Sequence, residues 1–227
     1  MDSMSKILDL SFLNYNRCFV IGDLFGDYSK LMNILYEQNF NYNDILIFTG
    51  NFLYRDNTRS LDCYEFIKNS VNVYSVYGAH EHRTLLNIQQ NNENILPFWL
   101  KEYPKKEEFI NFIETLPSII KVSDYLFIVN SGIEPYKTIE LQYPDVFYSI
   151  KTFDKDSKFY QTTIENEWNW YDYDYDGMKF CFSNCDAGSL EVSAGYCLSR
   201  EYDSKLKCLI FSNVNETPIL ISEGEIL

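Results

Sequence analysis

Residues 18–35, CFVIGDLFGDYSKLMNIL, constrain this chain more than any other stretch. An apolar run of strand length enters a Gly-Asp-x-x-Gly-Asp turn and leaves it with apolar residues at helical spacing. Val20 and Ile21 suit a strand buried on both faces, and Leu31, Ile34 and Leu35 would pack the following helix back on the sheet. Gly22 and Gly26 let the backbone bend close to a ligand. The junction puts the Asp23 carboxylate at the carboxyl end of a strand, where open α/β sheets place their chemistry.

The pattern then repeats. Residues 45–48 form a continuous apolar run, 60–69 carry Leu61, Tyr64, Phe66 and Ile67 at helical positions, and 71–77 are β-branched and aromatic. Such a βαβαβ series implies a largely parallel sheet with right-handed crossovers. Residues 82–94 read as a helix closed by NNEN. Residues 105–116 read as another, with Phe109, Phe112, Ile113 and Leu116 on one face and Glu107 and Glu108 in the first turn, where the helix dipole favours acids. A hairpin over 118–122 and 125–130 turns at Ser123-Asp124. Residues 1–16 suggest a short helix or arm with Ile7, Leu8, Leu10 and Leu13 on its apolar side. Residues 136–177 are aromatic, charged and weakly periodic, and the runs at 178–182, 190–198, 205–211 and 217–222 read as closing strands of a second sheet.

Four segments together resemble the calcineurin-like metallophosphoesterases, in particular the phosphoprotein-phosphatase and diadenosine-tetraphosphatase branch. GDLFGD at 22–27 looks like that family's G-D-x-H-G-D, and IFTGNFLYR at 47–55 like L-G-D-x-x-D-R. VYGAHE at 76–81 is similar to V-x-G-N-H-E, and IVNSGIEP at 128–135 to V-H-A-G-I-x-P; FSNC at 182–185 is a weaker match to G-H-T. The resemblance implies an α/β fold of two mixed β-sheets packed as a sandwich with flanking helices, four layers in all. It would form one domain over 1–227, with a variable lid-like insertion at roughly 136–177.

The departures fall on the residues that do the family's chemistry. Where the family's metal ligands stand, this chain has Asp23, Phe25, Asn51, Ala79, Asn130 and Asn184, and only Asp23 is retained. The Asp that accompanies the family's Arg is Tyr54 here, and the Gly after that Arg is Asp56. Arg55 matches the phosphate-binding Arg, and His80 with Glu81 match the catalytic His and its orienting acid. Two divalent ions about 3.5–4 Å apart repel by about 15–20 kcal/mol at an effective dielectric near 20, so a bridging carboxylate is a main compensation. Asn51 is neutral, and Phe25 and Ala79 have no lone pair to offer. The expectation is that no dinuclear site forms and no cofactor is held. His80 and His82 are the only histidines, so no other segment supplies the missing imidazoles.

Composition bounds the partners. A formal net charge of -14 and a pI near 4.5 oppose direct binding to nucleic acid or anionic membrane, but suit a protein partner with a basic surface. The absence of a signal-like leader and of a membrane-length apolar run points to an intracellular, cytoplasmic protein. Six cysteines without C-x-x-C pairs read as buried reduced thiols. Abundant Asn, Ile, Lys, Tyr and Phe hint at an AT-rich coding genome; for a viral protein the host cytoplasm is implied. The stretch from Asp172 to Gly177 resembles the start of a calcium loop, yet its twelfth position is Ser183 rather than Glu. Trp168, Trp170, Tyr171, Asp172, Tyr173, Asp174, Tyr175 and Asp176 are candidates for a protein interface, or else form an exposed acidic loop with the tryptophans as packing anchors; composition does not separate the two.

Two functional expectations follow. The first is a pseudophosphatase, a scaffold or regulatory protein-binding subunit that keeps the fold without catalysis. The alternative is a divergent metal-dependent serine/threonine-type phosphatase or phosphoesterase with a single hard ion, Mn or Mg, on Asp23, Asn51 and Asn130, using Arg55 on the phosphate and His80 as acid. A third reading, metal-free binding of a phosphorylated small molecule or nucleotide through Arg55 and the Gly-rich turn, has the negative field against it.

Overall fold

The computed structural model describes residues 6–90, 94–124, 126–150, 152–156, 158–162, 170, 173, 178–182, 196–197, 208–211 and 219–221. The strands in order are β1 (Ile7–Asp9), β2 (Cys18–Ile21), β3 (Ile45–Phe48), β4 (Val73–Ser75), β5 (Ile119–Lys121), β6 (Leu126–Ile128), β7 (Thr152–Asp154), β8 (Phe159–Gln161), β9 (Lys179–Cys181), β10 (Tyr196–Cys197), β11 (Cys208–Phe211) and β12 (Ile219–Ile221). The helices are α1 (Tyr28–Glu37), α2 (Ser60–Asn69), α3 (Ala79–Gln89), α4 (Phe98–Lys101), α5 (Lys106–Thr115) and α6 (Val146–Ser149).

Two five-stranded sheets form the centre. One runs β12-β11-β2-β3-β4 and the other β1-β5-β6-β9-β10, with β7 and β8 as a separate hairpin. The β2, β3 and β4 pairings are parallel, as the βαβαβ pattern requires. Because side chains alternate across a strand, each central strand feeds two layers. Phe19, Ile21, Leu46 and Phe48 pack under the helical layer with Leu31, Tyr64, Phe109 and Ile113. Their neighbours Cys18, Val20, Ile45 and Ile47 face the other sheet, meeting Ile120, Leu126, Ile128 and Cys181. On the far side of that second sheet, Ile119, Phe127 and Phe180 pack with Phe147, Ile150, Phe153 and Trp170. Two sheets face to face with a further layer outside each give the four-layer arrangement.

Three differences from the sequence reading have physical causes. The stretch 1–16 supplies a strand, not a helix: β1 pairs in parallel with β5 through Ile7↔Ile119. The runs near 205–211 and 217–222 close the first sheet rather than the second, because β11 pairs in parallel with β2 and β12 pairs with β11. Without β11, the fully buried β2 would expose an unpaired edge. Within 136–177 the described residues include a buried cluster, with Val146, Phe147, Ile150 and Phe153 in the core.

Trp170 is one of these core residues, 1% exposed. It lies flat against Gly132, where an added Cβ would collide with the indole ring. Cys18, Cys63 and Cys181 are free and buried, and burial pushes the Cys63 thiol up to about 12. Among the described residues no helix is long and apolar enough to cross a membrane.

Gly132→Ala is expected to lower unfolding stability by about 1–3 kcal/mol through overpacking against Trp170, as read by urea denaturation. Cys63 should stay unmodified by iodoacetamide at pH 8 in the native protein and react once it is unfolded, by peptide mass spectrometry; rapid native labelling would show the thiol is not buried.

Candidate functional site

The four motif loops meet at one edge of the first sheet. Asp23, Asn51 and the start of α3 follow the carboxyl ends of the parallel strands β2, β3 and β4, and Asn130 arrives from the end of β6 in the other sheet. The approach is close: a Cβ on Gly50, whose φ is +87°, would lie 2.8 Å from the Cα of Gly78. Gly50 is therefore needed both for its left-handed φ and for its lack of a side chain.

Hydrogen bonds then join the turns. The Asn51 side chain donates through Nδ2 to Asp23 Oδ1 at 2.8 Å and accepts the His80 backbone N–H on Oδ1 at 3.0 Å. The Asn130 side chain accepts the Ala79 N–H on Oδ1 at 3.1 Å and donates through Nδ2 to the Thr49 carbonyl at 2.7 Å. Both amides are thus fixed in orientation, since reversing either would set N–H against N–H and oxygen against oxygen. Their oxygens serve as caps for the first two amides of α3, which have no partner within the helix. The Asn51 backbone is left-handed, φ +52°, a conformation that Asn tolerates better than most residues.

Glu81 is fully buried and does not orient His80, as the resemblance implied. Its Oε2 accepts the Asn51 N–H at 2.8 Å and its Oε1 the Leu53 N–H at 3.1 Å. Glu81 is a clamp between α3 and the turn after β3. Burial raises its pKa to about 7, with the Leu53 and Asn51 amides pulling the other way and Asp23 adding to the rise.

His80 sits among rings. Its imidazole is 5.1 Å from Phe25 and 5.5 Å from Tyr54, centroid to centroid, and those two rings are themselves 5.5 Å apart. Phe25 and Tyr54 stand where the resemblance has a metal-binding His and an Asp, so aromatic rings meet His80 at two positions that are polar in the family. Burial, with Arg83 nearby, lowers the His80 pKa to about 4, which leaves it neutral at pH 7.

The donor set does not fit a pair of metal ions. Asp23 is its one anionic oxygen ligand, Phe25 and Ala79 contribute no side-chain donor, and the two amide oxygens already cap a helix. Among the described residues no three His, Cys, Asp or Glu side chains gather in a group able to hold a metal. Asn184 lies outside the described residues, as do Trp168, Tyr171, Asp172, Asp174, Tyr175 and Asp176. Of the remaining interface candidates, Trp170 is buried in the core, in keeping with the packing-anchor alternative and not with a surface contact, and Tyr173 is half-buried with its ring 4.6 Å from Tyr136. Arg55 is exposed and 4.0 Å from Asp56. Sequence reasoning missed Trp99, whose Nε1 donates to the Tyr54 carbonyl at 3.1 Å and fixes the turn beside Arg55. A contact spanning 45 residues leaves no local signature.

Comparison with known proteins agrees with the geometry. A family model described as calcineurin-like phosphoesterase matches residues 17–181. Among solved structures, the crystal structure of a candidate diadenosine tetraphosphatase superposes with a TM-score of 0.69 at 16% identity, covering 83% of this chain and 86% of that one. A Saccharomyces cerevisiae protein serine/threonine phosphatase with similarity to human phosphatase PP5 aligns at 19% identity and TM-score 0.44, covering 60% of this chain and 44% of that one. Comparison with curated proteins returns no match.

Asn51→Asp is expected to cost about 3 kcal/mol in the presence of EDTA, because it sets a second buried carboxylate against Asp23 and beside Glu81. Asn51→Ala should cost less, about 1–3 kcal/mol for the lost hydrogen bonds. Urea unfolding of both variants tests the ordering, and an Asp variant as stable as wild type would show that the site tolerates the charge.

Proposed function

The chain belongs to the calcineurin-like phosphoesterase family, and from that premise we propose that it is a pseudophosphatase: a member that keeps the fold as a scaffold or regulatory protein-binding subunit and has given up the metal-dependent reaction. The observation that carries this reading is the use made of Asn51 and Asn130. At two positions where the resemblance calls for metal ligands, neutral amides cap α3 and tie Asp23 and Thr49 to it. The surroundings of His80 support it as well. A general acid must be protonated before the reaction, and a neutral imidazole with a pKa near 4 holds little of the charged form at pH 7.

The partner we propose is an intracellular protein with a basic surface. A net charge of -14 favours encounter with such a surface and disfavours nucleic acid and anionic lipid. The single-ion alternative would require Mn or Mg to compete with the helix amides for the Asn51 and Asn130 oxygens, with Asp23 as the one anionic ligand.

The test is metal content and turnover measured together. After equilibration with manganese and removal of excess, mass spectrometry should find well under one equivalent of metal, and an aryl phosphate with manganese should be hydrolysed no faster than in a blank without protein. Turnover that disappears in Asp23→Ala or His80→Ala, or a full equivalent of metal displaced by Asp23→Ala, would overturn the reading.

A further inference from the structure

The segment from Glu134 to Tyr143, which follows β6, runs against the usual polarity of a fold. Two polar side chains are buried, Glu134 at 0% and Gln142 at 4% exposure, while Tyr136, Leu141 and Tyr143 are 58%, 70% and 59% exposed. Folding alone favours the opposite arrangement. The buried groups act as a clamp. Gln142 accepts the Glu134 N–H on Oε1 at 2.7 Å and donates through Nε2 to the Glu134 and Lys137 carbonyls at 3.0 and 3.2 Å. Lys137 Nζ donates to Glu134 Oε2 at 2.5 Å. Tyr136 has a φ of +65°, a conformation that Gly adopts without strain and Tyr does not. The exposed apolar side chains are thus displayed on a fixed loop, which lowers the ordering cost of binding.

Beside this loop lies an open cavity of about 590 Å³. Ile7 of β1 and Phe127 of β6 line it from the outer face of the second sheet, Tyr136 and Ile139 from the loop, and no residue of the four motif segments takes part. Lys137 also lines it and lies 4.3 Å over the Tyr143 ring, which brings that ring to its edge. The lining is acidic: Asp9, Asp124 and Glu140 stand against Lys121 and Lys137. Both cations are already engaged, Lys121 with Asp124 at 2.7 Å and Asp9 at 3.8 Å, and Lys137 with the buried Glu134. Glu140 is exposed and makes no ion pair among the described residues.

We infer that this face docks a protein partner, which places an arginine or lysine side chain in the cavity against Glu140 and a neighbouring large apolar residue on Tyr136, Leu141 and Tyr143. The cation meets a carboxylate that shares its charge with no other group, with aromatic faces beside it that attract the same charge. An acidic or purely apolar segment would bury Glu140 without compensation. A formal net charge of -14 brings basic segments to this face and turns acidic ones away. The inference deepens the proposed protein-binding role and rests on it, but not on the loss of catalysis.

Selection of a displayed library of short random peptides on the full chain, followed by isothermal titration of the enriched peptides, tests it. Those peptides should pair Arg or Lys with a large apolar residue. Glu140→Lys and Leu141→Ser should each weaken their binding by about tenfold or more. Glu107→Lys, the same charge change on the exposed first turn of α5, should alter it little. Tyr136→Gly removes a ring at a backbone position that suits Gly, so binding should fall while the melting temperature holds or rises. No enrichment, or binding indifferent to Glu140→Lys and Tyr136→Gly, overturns the inference. Equal weakening by Glu107→Lys overturns it as well, since attraction would then be to the overall charge. Any of these results with no metal uptake and no turnover leaves the loss of catalysis standing. Specific peptide binding in a protein that also takes up manganese and turns over would support the docking face and overturn the loss of catalysis.

Discussion

The contact on which the arrangement depends is the one between Asn51 and the first turn of α3. A single residue accepts the His80 amide, donates to Asp23 and gives its own backbone N–H to Glu81. Three strand-end turns are thereby held in one constellation. The positive φ at Asn51 and at Phe25 is part of the same device, because the Phe25 N–H donates to the Asn51 carbonyl at 2.9 Å. Two left-handed residues persist where surrounding hydrogen bonds over-determine them. Glu81 adds a fully buried carboxyl group held by the backbone N–H groups of Asn51 and Leu53. Asn130 reaches the adjacent Ala79 amide from the second sheet, so the start of α3 adds a polar tie between sheets that also pack through an apolar core.

Much of the fold was legible because strand alternation and helix spacing are local. The runs at 18–21 and 45–48 are apolar at every position, which demands cover on both faces, and the structure supplies a helical layer on one side and a second sheet on the other. What could not be read locally was the choice of partner. The closing strands are short and apolar, and nothing in their sequence says which sheet they complete. The answer lies in β2, whose second edge would otherwise be bare. β1 was misread for a similar reason: three residues are too few to show a period, and their pairing with β5 spans more than a hundred positions of chain.

The site divides along the same line. That Phe25, Asn51, Ala79 and Asn130 stand at metal-binding positions is what the family resemblance implies, and it needed no coordinates. Their present contacts did. Asn51 and Asn130 could have been inert remnants, and the structure makes them caps. Phe25 and Tyr54 bring aromatic rings that form a three-ring cluster with His80. Glu81 matched an orienting acid by position, but the N–H groups of Asn51 and Leu53 lie nearer in function than the imidazole one residue away. On a helix, successive side chains diverge by about 100°, so adjacency in sequence is a poor guide to which groups meet.

On the proposed pseudophosphatase reading, an amide at position 51, where the family has a carboxylate, also bears on how such a centre would persist without metal. A second carboxylate 2.8 Å from Asp23, at the distance the Asn51 Nδ2 now occupies, would repel it by about 5–6 kcal/mol at an effective dielectric near 20. A protein that always carries a metal can bear that strain, because the cation offsets it. In a protein without metal the same pair would weigh against a total stability of about 5–15 kcal/mol. Asn removes the repulsion and turns the contact into a charge-assisted hydrogen bond, the stronger kind. On that reading, selection for stability alone is enough to move the site in this direction once an ion no longer offsets the repulsion.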